Sequence, residues 1–268
     1  MKPGVYDMTN EEYHKSDALN FSSLVKLLKS PAHYKQSLIA PIEQTKAMAF
    51  GSAVHLAVLE PEKFKAAYCV QPKINKTTKL GKIEFEDWCA ENTGKKSLDI
   101  EDTQKIIRIV ESINNHPIAS QLLTKGVAEK SVFWKDPISD VLCRCRPDYW
   151  RDDGVIIDLK TADDASVDGF KRSIATFNYH LQSSWYLEGV GATVGKCLSE
   201  FCHLVIEKTE PFAIAIYTLD DVSLAAGSDK IRELLELYTK CKQENYWPAY
   251  SPNIQNIRIQ PWLLGELR

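Results

Sequence analysis

The sequence predicts an α/β fold, a central mixed β-sheet flanked by helices and preceded by a helical N-terminal region. Three observations carry that expectation. Residues 143–161 form two apolar-rich runs around an Asp-Gly turn, the pattern of a β-hairpin. Residues 200–206 and 211–218 are β-rich runs around a Lys-Thr-Glu turn, and pair to complete the sheet. The first 125 positions are mainly helical in pattern, with apolar residues at helical spacing.

With 268 residues, 44% hydrophobic and 26% charged, the chain suits a globular core. It reads as a single domain over 1–268, mainly helical over 1–125 and holding the sheet core over 126–268. A net charge of −3 means that the whole surface is no sponge for DNA, so any contact must come from local basic patches or a ring that gathers them. No run is long and apolar enough to span a bilayer, and no basic-then-apolar leader opens the chain. A cytoplasmic location without membrane contact is expected. Seven cysteines without a Cys-x-x-Cys pair suit reduced thiols and argue against zinc ribbons and iron–sulfur clusters.

In order, Thr9 or Asn10 caps a short helix, Ser22 or Ser23 caps a second over 24–29, and Ser30-Pro31 opens a third. Helix N-termini bind phosphate, so Ser22 and Ser23 could touch DNA, although plain capping also explains them. Residues 47–61 form an apolar helix ending near Pro61. Gly51 and His55 stand one turn apart on it, and His55 taken alone reads as a core histidine. Residues 71–82 are polar, basic and aperiodic, a loop whose Lys73, Lys76, Lys79 and Lys82 suit phosphate contacts or a solvated face. Helices over 83–91, 99–115 (apolar at Ile106, Ile107, Val110 and Ile113) and 118–123 are scaffold. Residues 129–134 are the first strand of the sheet, with Glu129 at its start.

The hairpin carries the chemistry. A three-residue loop, Asp152, Asp153 and Gly154, pairs Arg151 with Val155 and Asp148 with Asp158, and puts Asp148, Asp158 and Lys160 on one face. A two-residue loop would put the acids on opposite faces. Two carboxylates so close repel unless a cation lies between them, and hard oxygen ligands suit Mg²⁺ or Mn²⁺. Lys160 beside them completes the equipment for metal-assisted phosphodiester hydrolysis. The plain alternative is a surface hairpin with solvated acids. Cys143 and Cys145 fall on the opposite face as packing thiols. A helix over 178–189 stacks Gln182 under Tyr186, and a long helix runs from 219 to about 246. The tail holds Trp262 and Leu263 with little local structure.

Pro147-Asp148, then Asp158-Leu159-Lys160, resembles the PD-(D/E)xK nuclease core, of restriction-endonuclease-like fold. The phrase Cys143-Arg144-Cys145-Arg146-Pro147-Asp148 is similar to the RecE-type exonuclease (exonuclease VIII) form of it, within the RecB and lambda-exonuclease branch. The resemblance runs from about Tyr6 to Pro248, including the Ser22-Ser23 region, Gly51-x-x-x-His55 and Gln182-x-x-x-Tyr186. Aspartate at 158 in place of glutamate is a departure this branch permits. The resemblance implies that His55 joins Asp148, Asp158 and the Leu159 carbonyl in holding one or two divalent ions. It implies that Glu129 assists the metal or orients water, that Gln182 and Tyr186 support Lys160, and that the lysine loop contacts DNA. It further implies a Mg²⁺-dependent exonuclease (Mn²⁺ substituting) that digests double-stranded DNA ends 5′ to 3′, a homotetrameric ring, and a RecT-like single-strand annealing partner in phage-type recombination. A restriction-type or structure-specific endonuclease on the same core, or a catalytically silent DNA-end module, are the alternatives.

Overall fold

Short-range capping sets the N-terminal elements. Strand β1 (Gly4–Tyr6) leads into α1 (Asn10–Lys15), closed by a capping box in which Thr9 and Glu12 exchange side-chain and backbone hydrogen bonds. Strand β2 (Leu19–Asn20) runs into α2 (Phe21–Leu24) and a 3₁₀ turn, Val25–Leu28. The cap of α2 is Asn20, whose Oδ1 accepts the Ser23 N–H at 2.8 Å. Ser22 and Ser23 therefore lie inside a four-residue helix and do not cap one, because Asn20 already takes the free N–H. Ser30 caps α3 (Pro31–Ser37) and Thr45 caps α4 (Lys46–Leu59), which stops where Pro61 opens α5 (Pro61–Ala67). The computed structural model describes residues 1–40, 44–195, 198 and 200–264.

Strand β3 (Tyr68–Val70) precedes the basic segment, which is shorter as a loop than its composition suggests. Thr78 caps α6 (Lys79–Glu91), so Lys79 and Lys82 ride on a helix while Lys73 and Lys76 stay in the irregular stretch. Strand β4 (Lys96–Leu98) pairs parallel with β3. Asp99 then caps α7 (Ile100–Asn115), which buries Ile106, Ile109 and Ile113; Ile107 is 51% exposed, off the buried stripe. A single turn, α8 (Ala119–Leu122), leads to the sheet strands.

Those strands are β5 (Gly126–Ala128), β6 (Ser131–Lys135), β7 (Leu142–Cys145), β8 (Tyr149–Arg151) and β9 (Ile156–Ala162). Helices α9 (Val167–Phe177) and α10 (Tyr179–Val194) follow, then β10 (Phe201–Glu207), β11 (Ile214–Thr218), α11 (Asp221–Glu244) and a 3₁₀ turn, Pro261–Leu264. A five-stranded mixed sheet has the order β11-β10-β9-β8-β5, with β9 and β10 parallel and the other pairs antiparallel. A four-stranded sheet has the order β1-β6-β7-β2. The pairs β5/β8 and β6/β7 keep one register, so they are two arms of one bent ribbon, split between the two sheets.

Helices cover both faces of the five-stranded sheet. On one face α4 and α7 bring Phe50, Val54, Ile106 and Ile109 against Leu159, Leu204 and Ile206. On the other, α10 and α11 bring Leu181, Trp185 and Leu235 against Ile156 and Phe201. Close approach of α10 and α11 needs Gly227, where a Cβ would fall 2.5 Å from the His180 carbonyl oxygen. Cys143 and Cys145 are buried packing thiols. Trp247 stacks on Tyr34, and the Pro248 carbonyl accepts the Ala32 N–H at 3.0 Å, docking the start of the tail on its own chain. Among the described residues, no helix is long and apolar enough to cross a membrane.

Candidate metal centre and active site

The bend of the ribbon makes the site. Pairing stops at Ala128/Tyr149 on one side and resumes at Val132/Cys145 on the other. Between them Glu129 takes a left-handed backbone, φ 54°, and its N–H donates to the Asp148 carbonyl at 3.2 Å. A non-glycine residue held at positive φ is strained, which surrounding structure must enforce. Glu129 is thus the hinge between two strands, rather than the start of one as its sequence position suggests. The turn at the other end of β8 has the three-residue loop expected, with Gly154 at φ 98° and the Arg151 N–H donating to the Val155 carbonyl. Tyr149 pairs with Ile157 and Trp150 with Ile156, so the ladder sets Asp148 opposite Asp158.

Beyond Tyr149 the strands part. Asp148 Oδ2 takes the place of a ladder carbonyl and accepts the Leu159 N–H at 2.7 Å. The carboxylate therefore lies between the strands, not squarely on the face shared by Asp158 and Lys160. From α4, His55 brings Nδ1 to 3.4 Å from the same Oδ2. Ligand atoms of His55, Glu129 and Asp148 all lie within 4.8 Å of one another. The cluster is recessed rather than sealed, with side-chain exposures of 28% for His55 and 16% for Asp148.

Asp158 stands on the other side of Asp148, engaged by cations and donors. Its Oδ2 is 2.7 Å from Lys160 Nζ and 3.4 Å from His203 Nδ1, and its Oδ1 accepts from Gln182 Nε2 at 3.0 Å. Lys160 Nζ also donates to Gln182 Oε1 at 3.2 Å and lies 4.6 Å from the centre of the Tyr179 ring. Gln182 is therefore a clamp, holding the acid and the lysine in fixed relation. Tyr186, one turn along α10, packs edge-on to Phe201. Among the described hydrogen bonds it reaches neither Lys160 nor Asp158, but burial first, and then neighbours that include Asp148 and Asp158, push its phenol well above the usual range.

Charge is distributed unequally. Burial and the Asp158 charge hold the Asp148 carboxyl up to about 8. Burial and the Asp148 charge hold Glu129 up to about 7. Burial opposes ionisation of Asp158 too, but Lys160 and His203 outweigh it and hold it down at about 2. Burial lowers the Lys160 ammonium, but Asp158 and Asp148 more than restore it, so the amine stays charged. Burial and Lys160 push the His55 imidazole down, leaving it neutral and fit to ligate.

These donors fit a divalent cation. One imidazole nitrogen and two crowded carboxyls converge, and the crowding that raises their proton affinity is what a cation relieves. Asp158 Oδ2 is buried without a well-directed hydrogen bond despite its close ionic neighbours, a further oxygen with coordination to spare. The structure groups Glu129, Asp148 and His55 most tightly, with Asp158 and the Leu159 backbone adjoining. Ser22 and Ser23, and the exposed Lys73, Lys76, Lys79 and Lys82, share no hydrogen bond or ion pair with this cluster among the described residues. Lys76 lies over the Phe85 ring instead. His203 was not legible as part of the site: its only signal is a histidine among the apolar residues 201–206.

Known proteins agree with this architecture. A "Putative exonuclease" from Eubacterium rectale superposes with a TM-score of 0.63 at 14% identity, over 97% of this chain and 98% of that one. At that identity the likeness concerns the fold. SSO0001 aligns over 85% of this chain and 87% of its own at 14% identity, with a TM-score of only 0.28. No curated protein sequence matches. Residues 20–260 match the family described as "PDDEXK-like domain of unknown function (DUF3799)", a span that holds Glu129, Asp148, Asp158 and Lys160, and the chain belongs to that family.

Proposed function

We propose that this PDDEXK-like nuclease domain is a Mg²⁺-dependent exodeoxyribonuclease that digests linear double-stranded DNA from 5′ to 3′. The 3′ single strands left behind would pass to a RecT-like annealing protein in recombination. In this reading the enzyme works in the cytoplasm as a homotetrameric ring around DNA. The observation that carries the nuclease chemistry is the gathering of Asp148, Glu129 and His55 at the ribbon bend, with the Asp158–Lys160–Gln182 clamp beside it. The end-dependent mode is supported by the RecE-like motif order and by the description of the Eubacterium rectale neighbour.

A bound divalent ion supplies an activated water and offsets charge on the phosphate. The residues do the rest. Asp148, Asp158, Glu129 and His55 would hold the ion, and the Leu159 carbonyl adjoins them. Lys160 Nζ, kept charged, donates to a phosphate oxygen as negative charge develops. Glu129, grouped with Asp148 and His55, would share in holding the ion or orient a water beside it. Gln182 keeps Asp158 and Lys160 in register, with Tyr186 packed behind it. Ser22, Ser23, Lys73, Lys76, Lys79 and Lys82 are candidate contacts to the DNA backbone, which positions the duplex without reading sequence.

Duplexes labelled at either end, digested with Mg²⁺ or with chelator, test this. Early loss of the 5′ label, a persisting 3′ strand, no cutting with chelator and an untouched closed circle are expected. Nicking of the circle would indicate an endonuclease, and no cutting of any substrate would refute the nuclease reading.

A further inference from the structure

Strand β10 brings one more group to the acids. Parallel pairing sets His203 directly beside Asp158, and antiparallel pairing sets Tyr217 on its other side. Continued through the β8/β9 ladder and the bend, one cross-strand row holds Glu129, Asp148, Asp158 and His203. His203 is 0% exposed in a strand whose other residues are apolar up to the closing Glu207. Its Nε2 lies 3.1 Å from Ser183 Oγ, and that hydroxyl is also 2.9 Å from the Tyr179 carbonyl. Its Nδ1 lies 3.4 Å from Asp158 Oδ2. Neither of those two atoms has a well-directed hydrogen bond, although both are buried.

A histidine kept only for packing would serve no better than phenylalanine. Phe170 and Phe201 already lie against the ring, at 5.2 and 4.9 Å between centres. Burying two ring nitrogens is costly unless each meets a partner, and here the partners are a serine and a carboxylate of the site. The geometry points to His203 as a positioning residue. Nδ1 faces Asp158 Oδ2 across 3.4 Å as an ionic neighbour, and Ser183 Oγ, itself donating to the Tyr179 carbonyl, anchors the ring at Nε2. The role matters because Lys160 shares the same oxygen at 2.7 Å. When Lys160 turns to a phosphate, His203 still keeps the Asp158 carboxylate oriented toward the cation. Groups that orient a ligating carboxylate typically alter metal affinity by about 10–100-fold when removed. The inference rests on the nuclease reading and deepens it.

Two substitutions separate orientation from packing. His203→Asn keeps a donor at the δ position and loses the ring; His203→Phe keeps the ring and loses the donor. Mn²⁺ binding is followed by calorimetry, folding by thermal melting, and linear-duplex digestion in parallel. His203→Phe is expected to weaken Mn²⁺ by about 10-fold or more, and His203→Asn to stay within about threefold of wild type even if it melts earlier. His203→Phe binding Mn²⁺ like wild type, or His203→Asn losing it, would overturn the role, and either variant decides if the other does not fold. A wild type that takes up no Mn²⁺ overturns the nuclease reading as well, whereas a wild type that binds and variants that match it overturn this role alone.

Discussion

Metal binding should expel protons from Asp148 and Glu129. With Asp148 held up to about 8 and Glu129 up to about 7, both carboxyls carry protons in mildly acid solution. A cation binds carboxylates, so both protons must leave as it enters. Below about pH 7 each unit of acidification should therefore weaken Mn²⁺ by about 100-fold, and between about 7 and 8 by about 10-fold, with a plateau above. His55 adds nothing near neutrality because burial and Lys160 keep it neutral, and Asp158, held at about 2, is ionised throughout. Calorimetric titration with Mn²⁺ across this range, in two buffers of different ionisation enthalpy, reads both affinity and protons released. At neutral pH about one and a half protons per ion are expected. Affinity that does not change with pH, together with heats that do not depend on the buffer, would refute the placement of the ion between these carboxyls.

Other outcomes follow from the same geometry. Raised carboxyl values mean that the folded, metal-free protein binds more protons than the unfolded chain, so this contribution is full below the ordinary carboxylate range near about 4 and is lost as pH rises from there to about 7 to 8. Melting in chelator should show that decline, and Asp148→Asn should reduce it; an unchanged decline would contradict it. Asp158→Ala and Lys160→Ala should each abolish digestion of linear duplex, with circular dichroism like wild type, and near-normal activity in either would refute their assignment. Gly227→Ala should destabilise by about 1–3 kcal/mol in denaturant titration, because its Cβ meets the His180 carbonyl at 2.5 Å and forces α11 away from the helix carrying Gln182. A neutral result would show that the two helices can part without cost.

Much of this was legible in the sequence because it is local. An Asp-Gly turn and period-two alternation marked the hairpin and left two registers, of which the three-residue loop, with Asp148 opposite Asp158, is the one found. Caps at Thr9 and Ser30 announce their helices. What stayed hidden depends on partners distant in sequence. Glu129 owes its place to a bend in a ribbon whose second arm begins at Leu142, and no pattern around Glu129 reports that. His203 owes its place to the parallel register of β9 and β10, which no turn specifies. The capping reading of Ser22 and Ser23 failed because Asn20 caps the helix and starts it at Phe21, and the basic loop ran long because Thr78 caps a helix whose first turn is lysine-rich. Tyr186 has the spacing from Gln182 that the sequence suggests and feels the charges of Asp148 and Asp158, though among the described hydrogen bonds it joins neither acid nor Lys160.

Anomalous diffraction from crystals grown with Mn²⁺ addresses the central claim most directly. A peak at the ribbon bend, within coordination distance of Asp148 and Glu129 and bordered by His55 and Asp158, is the predicted result. Well-ordered side chains at the bend with no peak among them, or a peak only elsewhere on the protein, would contradict it.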